Sequence, residues 1–306
     1  MNLAPTSAKR GKASLDWQEC VICQTKSPEK QIVRMMLLLT KFCPTQLAQS
    51  RQPFFMTMAL RKTCKTDLAH LLEQDVLVSP TLPIFDVSKT TYIRDGMALL
   101  QSVDVKKYRN FGELAMDFVR HQVASFQFAS MVADIFDRYD IKNSIKSAER
   151  ERRSKSFFTA KVFQVIEGRI IPDLKKILSS GENKQSLISF LGDYTVRYLS
   201  ENSCLKEEQK LYLARSFQNP ETVKMIALNG ITDCSDLSST QEEADTCIVL
   251  HALNADKLYR ENKVKGRIVV KSPDTDVLVL LIHYFPQMTS TCEVWFQTGM
   301  VTSIKD

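Results

Sequence analysis

The chain has 306 residues, of which 44% are hydrophobic and 25% charged, and a formal net charge of +6. This is the composition of a globular protein that can bury a sizeable core in one large or two modest domains. With only 9 glycines it holds neither a P-loop nor a GxGxxG phosphate cradle, which excludes the glycine-built nucleotide sites.

In chain order, residues 1–30 mix Pro, Ser, Lys and Gly and are expected to form a loosely ordered lead-in. Residues 1–17 lack the apolar core of a signal peptide, and the apolar run at 35–39 is too short to cross a bilayer. An intracellular protein with no membrane partner is expected, its eight cysteines reduced. Cys20-Val21-Ile22-Cys23 is half of a zinc knuckle, but no second pair follows; Cys43 is isolated and Cys64 has only His70. Ordinary thiols are the better reading.

Residues 31–85 read as a small helical region, interrupted at Pro44 and Pro53 and closed by Pro80 and Pro83. From 86 to 306 the texture changes to short β-rich pieces alternating with amphipathic stretches, an α/β organisation. Strands are expected at 91–94, 131–136 and 267–270, with a weaker one at 293–296. Helices are expected at 111–127, 143–153, 184–202, 207–216 and 241–262.

Acidic residues gather at the ends of these elements. Asp95 follows Tyr92-Ile93-Arg94, and Asp137 follows Ile135-Phe136. Glu243 and Asp245 open a helical pattern, with Glu242 as an alternative partner of Asp245. Asp274 and Asp276 follow the β-branched run Ile268-Val269-Val270. Singly, each would serve as a helix cap or turn residue. Together, at strand ends of one α/β domain, they form an oxygen-rich set suited to Mg²⁺ or Mn²⁺. Between them, Lys146, Arg150 and Arg153 fall at i, i+4 and i+7, one face of a helix. Such a row is either a solvated face or a contact for nucleic-acid phosphates. His251 and His283 sit in apolar contexts and read as packed, as do Trp17, Trp295, Phe126, Phe128, Phe157 and Phe158.

The blocks together resemble a known superfamily. Ile135-Phe136-Asp137, Lys146 and Glu149-Arg150-Glu151-Arg152-Arg153 are similar to the strand-Asp, Lys and Arg-x-x-Arg block of flap endonucleases within the PIN-like nucleases. Ile93-Arg94-Asp95-Gly96 resembles their first metal-binding strand, Glu243-Ala244-Asp245 their Glu-Ala-Glu helix start, and Ser272-Pro273-Asp274-Thr275-Asp276 their strand-end Asp-x-Asp. The chain as a whole is most similar to uncharacterised animal proteins, expanded in copy number and of mobile-element character, that carry such a domain over residues 86–306.

The resemblance implies a PIN-like three-layer fold with a central, mostly parallel sheet. It implies a site for one or two Mg²⁺ or Mn²⁺ ions held by Asp95, Asp137, Glu243, Asp245, Asp274 and Asp276. Lys146, Arg150 and Arg153 would meet the phosphate of a DNA or RNA substrate, and a nuclear location follows from that partner. The family continues past the position of Asp306 with another metal-binding aspartate, so the domain is expected to be incomplete at its C-terminus. Two functions stand: a metal-dependent nuclease, or a catalytically inactive PIN-like module that binds nucleic acid or protein. An N-terminal zinc adaptor is a minor third.

Overall fold

The computed structural model describes residues 20–24, 77–79, 82–140 and 162–298. Its strands are β1 (Cys20–Gln24), β2 (Leu77–Ser79), β3 (Thr90–Asp95), β4 (Met131–Ile135), β5 (Lys210–Ala214), β6 (Val223–Ala227), β7 (Gly230–Asp233), β8 (Gly266–Lys271) and β9 (Thr291–Thr298). Its α-helices are α1 (Gly96–Gln101), α2 (Phe111–Ala124), α3 (Leu174–Ile177), α4 (Gly181–Glu201), α5 (Ala244–Glu261) and α6 (Thr275–Tyr284). The α/β class expected from the sequence is the one observed.

The nine strands among the described residues form one sheet in the order β2-β1-β9-β8-β3-β4-β5-β6-β7. The centre, β9-β8-β3-β4-β5, is parallel, and its two flanks are antiparallel. Alternation along each strand sorts side chains between two faces. Ile93, Ala133, Ile135, Ile268, Val270, Val294 and Phe296 pack against α5 and α6. Val132, Leu211 and Leu213 pack against α1, α2 and α4. Each buried Val, Leu, Ile or Phe among them contributes about 1.5–3 kcal/mol by leaving water, so a centre buried on both faces holds the sheet together. Trp295, 1% exposed, lies on the second face beside Val269, Leu82 and Tyr92.

The four expected strands are present: those at 91–94, 267–270 and 293–296 are extended by one or two residues at each end, and the one at 131–136 ends one residue earlier. The helix expected at 207–216 is instead β5. Leu211-Tyr212-Leu213-Ala214 is buried on both faces, and such a strand shows an unbroken apolar run with no period of two to distinguish it from a helix. The helices expected at 111–127, 184–202 and 241–262 correspond to α2 with a following 3₁₀ turn, α4 and α5. The readings of 1–30 and 31–85 fall almost wholly outside the described residues, as does the helix expected at 143–153. From those stretches β1 and β2 are described, and they extend the sheet antiparallel beyond β9.

Candidate metal centre

Five parallel strands send their carboxyl ends to one edge. From β3 the chain proceeds outward through β4 to β5. It later returns to the other side of β3 as β8 and proceeds outward to β9. The direction of winding therefore reverses between β3 and β8, and open sheets place their ligand crevices at such a reversal. Asp95 ends β3, and Ser272-Pro273-Asp274 follows β8.

Asp95 caps α1: its Oδ1 accepts from the Met97 and Ala98 amides at 2.9 and 3.0 Å. Its Oδ2 accepts from the Ser272 hydroxyl at 3.4 Å, and that hydroxyl accepts from the Asp274 amide at 3.2 Å. Ser272 thus ties the two central strand ends together. Burial pushes the Asp95 carboxyl above its ordinary range; the charge of Asp137 adds to the rise, and the three hydrogen bonds oppose it. Gly96 makes the approach of the Asp95 and Asp137 loops possible, since a Cβ there would lie 2.5 Å from the Phe136 ring.

Asp137 lies two residues past β4. Its Oδ1 accepts from the Ala244 amide at 2.9 Å, at the start of α5, and its Oδ2 accepts from the Tyr139 hydroxyl at 3.2 Å. Glu243 is the N-cap residue of α5, in extended conformation, and its side chain makes no capping bond. Asp274 caps α6, accepting from the Asp276 amide at 3.1 Å. Asp95 and Asp274 thus both serve as helix caps, as their positions in the sequence allow.

Asp245, Asp274 and Asp276 converge: each offers a carboxylate oxygen, and these oxygens lie within 4.8 Å of one another. Oxygens around one Mg²⁺ at about 2.1 Å lie roughly 3–4 Å apart, so modest side-chain rotation would let these three share an ion. An all-oxygen set that is half-buried to exposed suits a hard divalent cation, and this cluster could hold one. Of the six predicted ligands these three form the group, while Asp95, Asp137 and Glu243 sit on the same edge around it. Lys146, Arg150 and Arg153 lie outside the described residues.

Arg215 is a part of this edge that the sequence reading passed over. It follows β5 with φ +63°, a left-handed backbone, and its side chain is 1% exposed. Nη1 donates to the carbonyl of Glu243 at 2.7 Å and reaches those of Glu242 at 3.3 Å and Phe136 at 3.5 Å; Nη2 reaches Ser239 Oγ at 3.4 Å. Burial pushes its guanidinium down from the ordinary value, with the charges of Asp137 and Asp140 acting the other way. Arg138 was also overlooked. Its amide donates to the Glu242 carbonyl at 3.0 Å, and its guanidinium pairs with Asp140 at 2.8 Å and Glu221 at 3.2 Å. No local motif announces Arg215, whose partners are all distant in the chain; Arg138 has one near partner, Asp140, and two distant ones, Glu221 and the Glu242 carbonyl.

A separate cavity of about 830 Å³ lies on the α2 side of the sheet, lined by Tyr92, Arg94, Tyr108 and His121 among others, and by none of the six acidic residues. His251 is buried as expected, edge-on to Tyr212. His283, expected to be packed, is exposed on the last turn of α6, and Phe128 is 59% exposed. Among the described residues no helix is long and apolar enough to cross a membrane. Compared with family models, curated proteins and solved structures, the chain matches none.

Proposed function

We propose that the chain is a PIN-like, metal-dependent nuclease that hydrolyses phosphodiester bonds of DNA or RNA. The observation that supports this reading is the convergence of Asp245, Asp274 and Asp276 at the reversal point of a parallel sheet. Helix caps alone would not require carboxylates from two helix starts to share one volume. In this reading these three hold Mg²⁺ or Mn²⁺, with Asp137 and Asp95 as neighbours available to a second ion. When bound, the cation supplies Lewis acidity that promotes ionisation of water and neutralises charge on phosphate oxygens. Ser272 keeps the Asp95 and Asp274 loops in register, and Asp137 holds the start of α5 so that Asp245 faces the edge. Lys146, Arg150 and Arg153 would draw the nucleic-acid backbone to the acidic edge and offset its charge.

The test is cleavage of end-labelled flap, single-stranded DNA and RNA substrates in Mg²⁺ or Mn²⁺, wild type beside Asp274→Ala/Asp276→Ala. Metal-dependent cutting, reduced at least 100-fold in the double variant, is expected. Equal cutting by both would remove the assignment, and nucleic-acid binding without cutting by either would favour a catalytically inactive PIN-like module.

A further inference from the structure

A buried guanidinium normally finds a carboxylate. Arg215 is directly paired with none among the described residues; its guanidinium faces three main-chain carbonyls and one hydroxyl, and its Nε has no partner. The carbonyls are not scattered. Phe136 O immediately precedes Asp137, and Glu242 O and Glu243 O immediately precede the helix that carries Asp245.

The start of α5 depends on this arrangement from both sides. Its first amide, that of Ala244, is held by Asp137 from the β4 exit, and the carbonyls just before it are held by Arg215 from the β5 exit. The side chain of its own N-cap residue, Glu243, makes no capping bond. Arg215 is itself fixed from behind. Its backbone is left-handed, and α4 presses on the next residue so closely that a Cβ at Gly192 would lie 1.9 Å from the Ser216 carbonyl oxygen. An unfavourable backbone, retained and pinned beside a candidate site, points from the outlier toward a role.

We infer that Arg215 is a positioning residue for the carboxylate edge: its Nη1 joins the β4 exit to the α5 start while Nη2 reaches Ser239, and it so sets where Asp245 stands relative to Asp274 and Asp276. The consequence for metal binding rests on the function proposed above, whereas the bridging itself does not. Lysine is no full substitute, because its shorter, more strongly hydrated ammonium lacks the second terminal nitrogen with which Arg215 also reaches Ser239.

The experiment uses the full chain and Mn²⁺ alone as the probe, comparing wild type with Arg215→Lys, which keeps the charge and loses the fork. Mn²⁺ affinity is measured by calorimetry, and hydrogen–deuterium exchange is followed at the amides of residues 244–247. Leu199→Ala, on the last turn of α4, serves as a control destabilised by packing loss. Arg215→Lys is expected to weaken Mn²⁺ binding about 10-fold and to speed exchange at 244–247, while Leu199→Ala changes neither. Wild-type affinity and exchange in Arg215→Lys would overturn the inference. If wild type binds no Mn²⁺, the metal reading fails and exchange alone decides: faster exchange at 244–247 sustains the positioning role, unchanged exchange ends it. Should Arg215→Lys not fold, Arg215→Gly replaces it, since glycine accepts the left-handed backbone. Loss of a nearby positive charge should by itself tighten Mn²⁺, so weaker binding there sustains positioning and tighter binding overturns it.

Discussion

Arg94, within β3, and Arg215, just past the end of β5, are both buried, and their surroundings differ in kind. Arg94, on β3, meets Asp134 of β4 through two hydrogen bonds of 2.7 and 2.8 Å. Gln122 donates to the same carboxylate at 2.8 Å and accepts from Thr195 at 3.1 Å, so strands and helices on that face close into one satisfied network. Among the described residues Arg215 has no such counter-ion; it faces carbonyl dipoles, and Asp137 and Asp140 act on it through space. A self-neutral pair in mid-sheet makes an internal fastening. A cation held by dipoles beside carboxylates leaves its charge available to the edge. The same residue type therefore marks a stability element in one place and a site element in the other.

Breaking the first arrangement should produce the largest effect on folding. Arg94→Met leaves Asp134 charged and buried, at a cost of about 3–5 kcal/mol, whereas Arg94→Met/Asp134→Leu should recover most of that loss. Denaturant titration of the single and double variants checks this. A double variant no more stable than the single would mean that the pair is not the self-contained unit described.

The acid limb of stability should belong to the Arg215 side. Burial pushes the imidazole of His251 down to about 3, with the charge of Arg215 adding to the fall. The unfolded chain takes up this proton near 6.5 and the folded chain resists until about 3, so stability falls as pH drops through that window. The slope approaches about 1.4 kcal/mol per pH unit. Thermal melts from pH 7 to pH 4 should show a shallower decline for His251→Leu than for wild type; parallel curves would assign the acid loss elsewhere.

The smallest effect sharpens the comparison at the backbone. Arg215→Gly and Arg215→Ala both remove the fork, but alanine retains the cost of φ +63°. Glycine should be the more stable by about 1 kcal/mol, and equal melting temperatures would show that the loop relaxes once the side chain is gone.

What the sequence made legible follows from the range over which each feature is encoded. β3, β4 and β8 could be read because apolar runs such as Ile268-Val269-Val270 end at acidic residues. The acidic edge could be read because Asp95, Asp137 and the Asp274/Asp276 pair each stand within two residues of a strand end or a helix start. β5 was misread because Leu211-Tyr212-Leu213-Ala214 is covered on both faces and carries no alternation. The β6–β7 hairpin was overlooked although Asn229-Gly230 is a strong local signal for such a turn. Arg215 was illegible for a different reason. Its partners lie 27, 28 and 79 residues away, and its function depends on main-chain oxygens that any residue would supply.

Trp295 offers an optical consequence. Its indole is 1% exposed on β9, on the sheet face opposite α5 and α6. In a Trp17→Phe background it becomes the sole tryptophan, and its emission should be blue-shifted while the sheet is intact and shift red when water enters. Because it faces away from the α5 start, rearrangement of the acidic edge should leave that colour unchanged. One fluorophore thus separates loss of the whole structure from loss of the edge alone.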